Sequence, residues 1–151
     1  MNREILFRGA RVDNGEWAYG YYVKWGAWQN DKHLIIGKGE YGCICKFEVD
    51  PDTVGEYTGL KDKNGVKIFA GDIVKAHYAN AQKSDFTEFV VFHLGRFCAT
   101  PDDAHCWTAL ADGIRHPPQD KTIYMEWCEV IGNIYDNPEL LKEAEHEQNK
   151  N

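Results

Sequence analysis

Between Tyr57 and Val74 short β-forming runs alternate with turn residues at spacings that leave no room for a helix. Tyr57-Thr58-Gly59-Leu60 gives way to Lys61-Asp62-Lys63-Asn64-Gly65, and an Asn-Gly pair is a strong hairpin signal because both residues tolerate positive φ. Val66-Lys67-Ile68-Phe69 then enters Ala70-Gly71-Asp72-Ile73-Val74, where glycine permits a sharp bend before Ile73 and Val74 start another strand. This is the pattern of a small-barrel corner.

The chain on either side keeps the same character. Asp13-Asn14-Gly15 supplies positive-φ positions for a first hairpin, and Trp17, Tyr19, Tyr21, Val23 and Trp25 recur at period two on its return limb. Leu34-Ile35-Ile36 reads as a short strand, and Cys43, Cys45, Phe47 and Val49 alternate along the next one. Phe86 to Phe92 is the best β run, turning near Leu94-Gly95. Thr100 to Lys121 carries no periodic pattern, and Tyr124 to Tyr135 returns to β character. Asn137-Pro138-Glu139 is a helix start, with proline at the first helical position and a carboxylate in the first turn.

Three stretches resemble the YopX family: Val54-Gly55-Glu56-Tyr57-Thr58-Gly59-Leu60-Lys61-Asp62-Lys63-Asn64-Gly65, Ile68-Phe69-Ala70-Gly71-Asp72-Ile73-Val74, and Glu129-Val130-Ile131-Gly132-Asn133-Ile134-Tyr135-Asp136-Asn137-Pro138-Glu139-Leu140-Leu141. The opening Arg3-Glu4-Ile5-Leu6-Phe7-Arg8 is similar to the family's start. The resemblance implies a bacteriophage or prophage setting, a tendency to self-associate, and a β-rich fold with a small SH3-like barrel. It implies no assigned catalytic or ligand residue. The expected fold is therefore all-β with minor α: an N-terminal β region, an SH3-like barrel core over about residues 54–136 and a short C-terminal helix. These form one domain, 1–142, followed by a polar, frayed tail at 143–151.

Length and composition set further bounds. The chain has 151 residues, 43% of them hydrophobic, which is enough for one sizeable core. Its formal charge of −7 works against binding that relies on neutralising many phosphates. No apolar run approaches the roughly 20 residues that span a bilayer, and Met1-Asn2-Arg3-Glu4-Ile5 lacks a signal peptide's apolar core. A location in the cytoplasm of a bacterial host, with no membrane contact, is expected. Five cysteines without a disulfide-framework spacing are read as reduced, buried thiols, and no cofactor is expected.

Four constellations are candidates for function. Trp17, Tyr19, Tyr21 and Trp25 make either a core face or, if turned outward, a surface for protein contact, because aromatic residues are enriched at interfaces. Lys61, Lys63, Lys67 and Lys75 lie close enough in sequence to face phosphate, although Asp62 and Asp72 interrupt them. His93, Cys98, His105 and Cys106 are ligand types suited to zinc, at a spacing that fits no familiar finger. Beside these zinc candidates, Cys43-Ile44-Cys45 is expected to hold its sulfurs about 7 Å apart by strand rise, too wide for one zinc ion. Asp102 and Asp103 beside His105, with His116 farther on, carry acid, base and metal-ligand groups on one loop, where carboxylates are more often simply solvated. The leading reading is a non-catalytic phage or prophage accessory or regulatory protein. It acts through contacts with itself and with a host or phage protein. Nucleic-acid binding or processing through the barrel, and a metal-dependent enzyme, are the alternatives.

Overall fold

In a computed structural model of the chain the described residues are 3–26, 31–79, 81, 85–100, 108–110 and 124–148. They are all-β apart from 3-10 turns and one terminal helix, and the chain divides into two compact units, Met1–Gly59 and Leu60–Asn151.

The first unit contains β1 (Phe7–Ala10), β2 (Trp17–Trp25), β3 (Lys32–Lys38), β4 (Ile44–Glu48) and most of β5 (Gly55–Lys61). Their order is β4-β3-β2-β1-β5, with antiparallel neighbours throughout. The hairpin between β1 and β2 closes through Arg11, whose amide donates to Glu16 O at 2.9 Å while its carbonyl accepts from Gly15 N at 2.9 Å. Ala18, Ile35 and Val49 form the core of this unit, with Phe7, Tyr22, Phe47 and Val54 packed around them.

β5 continues into the second unit and turns into β6 (Lys67–Phe69). The turn is held by Asp62: its carbonyl accepts from Gly65 N at 3.0 Å, and its carboxylate accepts from Asn64 N at 2.8 Å and Val66 N at 2.9 Å. Gly65 has a φ of 83°, whereas Asn64 keeps a negative φ, so glycine alone supplies the left-handed position. The remaining strands are β7 (Asp72–Ala79), β8 (Asp85–His93), β9 (Arg96–Thr100), β10 (Thr108–Ala109) and β11 (Tyr124–Asn133). They make a sheet in the order β10-β9-β8-β7-β11, which among the described residues does not close into the expected barrel.

Under this sheet lie Leu60, Ile68, Val74, Ala76, Val90 and Met125, all buried. Register slips in β11 between Met125 and Trp127, and between Val130 and Gly132, decide which side chains join them. Each slip offsets the side-chain alternation by one. Met125 and Cys128, three apart, are therefore both buried, and Trp127 between them is not. Helix α1 (Glu139–Gln148) follows, running on through residues expected to fray.

Candidate functional site

Burial along β2 decides between the two readings of its aromatic residues. Ala18 and Gly20 are buried, while Tyr19, Tyr21 and Trp25 are 49%, 67% and 71% exposed. The period-two aromatic set faces outward, while Ala18 joins Ile35 and Val49 in the core and Gly20 lies against the Ile36 carbonyl of β3, where a Cβ would stand 2.1 Å from its oxygen. Tyr22, on the inner parity, packs against Phe7 at 5.6 Å between ring centroids, and its hydroxyl pairs with His33 Nδ1. Trp17 is half-buried, with the Arg8 guanidinium 4.8 Å above its ring. Three of the four residues singled out, Tyr19, Tyr21 and Trp25, thus form one exposed stripe.

Neighbouring strands widen that stripe. Across the sheet Tyr21 pairs with Ile36 and Val23 with Leu34, both half-buried, and the next positions over are Lys46 and Glu48 of β4. Lys32, opposite Trp25, holds Glu48 at 2.7 Å. The apolar strip is therefore bordered by a balanced ion pair, although the chain as a whole carries a charge of −7.

The four lysines do not make a common positive face. Lys63 binds Glu129 at 2.6 Å and lies 4.1 Å from the centre of the Trp127 ring, and Lys75 lies 3.6 Å from Asp85. Lys61 is exposed at the end of β5, and Lys67 is half-buried in β6. Of the zinc candidates, His93 is exposed at the end of β8, and Cys98 is buried in β9 and engaged in a disulfide, so it is not the reduced thiol expected. His105 and Cys106, and with them Asp102, Asp103 and His116, lie outside the described residues. Among the described residues no three His, Cys, Asp or Glu side chains gather as a metal set.

Two arrangements escaped the sequence reading. His77 stacks on Trp127 with ring centres 5.0 Å apart and planes within 3°, donates to Asp85 Oδ1 at 2.6 Å, and points its other nitrogen at Glu126, 3.7 Å away. The hydrogen bond from His77, with help from Lys75, holds the Asp85 carboxyl below the usual carboxylate range. This face of the second sheet pairs its charges internally. Beneath it, burial pushes the Glu88 carboxyl up, and the Tyr78 hydroxyl donates to it at 2.7 Å. Cys128 is buried too, and desolvation, followed by the fields of Asp62, Glu88 and Asp72, pushes its thiol up to about 12. The Glu126 and Asp85 partners of His77 were invisible because they come from two different strands.

Fold and surface together define an all-β protein of two antiparallel sheets whose first sheet turns an aromatic stripe outward. The chain belongs to the YopX protein family, whose pattern matches residues 6–142. A search of curated proteins returns no match. A solved structure, protein EF1440 from Enterococcus faecalis, is similar at 25% identity and a TM-score of 0.48, over 91% of this chain and 98% of that one. No helix among the described residues is long and apolar enough to cross a membrane.

Proposed function

We propose that this chain is a non-catalytic accessory or regulatory protein of a phage or prophage, working in the host cytoplasm through protein contacts. Its first partner is a second copy of itself, and a host or phage protein is the further partner. The observation that carries this reading is the outward stripe of Tyr19, Tyr21 and Trp25 on β2. Exposed aromatic side chains in a row lose favourable free energy to water that a protein partner restores, at about 25 cal/mol per Å² of apolar area covered.

The identity of the first partner rests on charge. Two copies carrying −7 each repel in general. The Lys32–Glu48 pair beside the stripe and the exposed Lys46 leave this part of the surface locally neutral to positive, so approach through it avoids that repulsion. Light scattering after gel filtration tests the proposal. A mass that is a multiple of 17.3 kDa for the unaltered chain, falling to one unit in Trp25→Ser, is expected. A single-unit mass for both would overturn it.

A further inference from the structure

The turn joining β3 to β4 brings two sulfurs into contact. Cys43 and Cys45 are both thiols, and their Sγ atoms lie 3.3 Å apart. Residues i and i+2 of a regular strand stand nearly 7 Å apart, which is the separation the alternating pattern predicted. The strand, however, begins only at Ile44: Cys43 follows a 3-10 turn, Glu40–Gly42, in which Tyr41 takes the left-handed conformation at φ 60°. The chain reaches Cys43 from the side, and its sulfur folds over that of Cys45. A covalent S–S bond is about 2.0 Å long, so closure needs a movement of little more than about 1 Å.

Gly39 shows that this meeting has a dedicated seat. Its φ of −87° and ψ of −172° are open to any residue, so its backbone does not require glycine. A Cβ there would nonetheless stand 2.3 Å from Cys45 Sγ and 3.2 Å from Cys43 Sγ. Both sulfurs occupy the space of the missing side chain. The Gly39 amide also donates to Cys43 O at 2.8 Å, tying the seat to the residue that covers it.

The surroundings suit an incoming molecule. Cys43 is exposed and Cys45 half-buried. Cys45 lines an open cleft of about 480 Å³ with Arg11, Asp13, Lys46, Phe47 and Glu48, a size that accepts a small peptide-like ligand. The Arg11 guanidinium lies 4.9 Å above the Phe47 ring and is held by Asp13 at 2.6 Å and Glu16 at 3.4 Å.

We infer that Cys43 and Cys45 are a redox-active dithiol that exchanges with external disulfides of the small, peptide-like class. The Cys43 thiolate attacks one sulfur of R–S–S–R, forming the mixed disulfide Cys43 Sγ–S–R and expelling one R–S⁻. The Cys45 thiolate then attacks Cys43 Sγ, forming the Cys43–Cys45 bond and expelling the second R–S⁻. Two electrons pass from the protein to the external disulfide, and the two protons lost by the cysteines end on the released thiols. This activity does not depend on the aromatic stripe.

The test equilibrates the reduced full-length protein with glutathione and glutathione disulfide at stepped ratios, quenches in acid, alkylates, and maps peptides by mass spectrometry. Expected is a Cys43–Cys45 peptide lacking two hydrogens, growing as the disulfide fraction rises and reverting with dithiothreitol. Cys45→Ser is expected to stop at a glutathione adduct on Cys43. Thiols that stay intact at the oxidising end, or an unaltered protein that accumulates only the Cys43 adduct, would overturn the inference. Gly39→Ala is expected to slow ring closure about tenfold, the effect of about 1.4 kcal/mol on a barrier. Closure at the unaltered rate in that variant would remove the role assigned to Gly39.

Discussion

The Tyr78 hydroxyl donates a hydrogen bond of 2.7 Å to Glu88 Oε2, and both side chains are buried in the second unit. Burial raises the Glu88 carboxyl above its ordinary value, and the bond from Tyr78 only partly opposes that. The folded chain therefore keeps this proton at pH values where the unfolded chain has lost it. The contribution to stability is full below the unfolded carboxylate value, about 4.3, and is lost as pH climbs through the folded value. Glu88→Gln keeps an acceptor for Tyr78 and carries no charge. Urea midpoints measured from about pH 4 to about pH 8 are expected to show the variant gaining on the unaltered protein as pH rises. A difference that does not change with pH would contradict this account of the pair.

Asp62 serves three backbone amides, those of Asn64, Val66 and Val130, at 2.8, 2.9 and 3.0 Å. It joins the hairpin turn to β11. Asp62→Ala strands those donors and is expected to destabilise the second unit by about 3 kcal/mol, with Asp62→Asn in between. Denaturant unfolding measures it, and a loss under about 1 kcal/mol would mean that water replaces the carboxylate without cost.

Two isoleucines one strand apart separate core from surface in the first unit. Ile35 is fully buried and Ile44 is 85% exposed. Ile35→Ala is expected to cost about 3 kcal/mol, and Ile44→Ala to stay within about 0.5 kcal/mol. Equal effects in thermal or chemical unfolding would contradict the facing of this sheet.

Thiol reactivity follows burial and charge. With its thiol pushed up to about 12, Cys128 is protonated at ordinary pH, whereas Cys43 is exposed. Brief iodoacetamide treatment of the native protein, read by peptide mass spectrometry, is expected to label Cys43 and leave Cys128 unmodified until unfolding. Early labelling of Cys128 would show that its site opens to solvent.

Features set by local chemistry were legible in the sequence. The Gly15, Gly65 and Gly95 turns fall where the sequence places them, since each needs a residue that accepts positive φ, and Leu94 shares that strain in the β8–β9 turn at φ 48°. The start of α1 just after Pro138 was legible for the same reason. The facing of β2 was not, because period two marks two faces without saying which is inner. Distant residues made that choice: Ala18 joins Ile35 and Val49 in the core, and a Cβ at Gly20 would stand 2.1 Å from the Ile36 carbonyl oxygen of the neighbouring strand. The slips in β11 broke the alternation that would have grouped Met125 with Trp127. The sulfur contact depended on a 3-10 turn that strand alternation cannot foresee. Trp28, three residues beyond Trp25 in the sequence, lies outside the described residues.

The claim on which the functional reading stands is that Tyr21 and Trp25 lie at an interface between copies of this chain. Sedimentation velocity over loading concentrations from about 1 to about 100 μM, spanning ordinary homodimer affinities, tests it most directly. The unaltered protein is expected to shift to faster sedimentation as concentration rises, and Tyr21→Ser/Trp25→Ser to remain a single unit of unchanged circular dichroism throughout. A variant that associates as the unaltered protein does, or an unaltered protein that stays a single unit over the whole range, would contradict it.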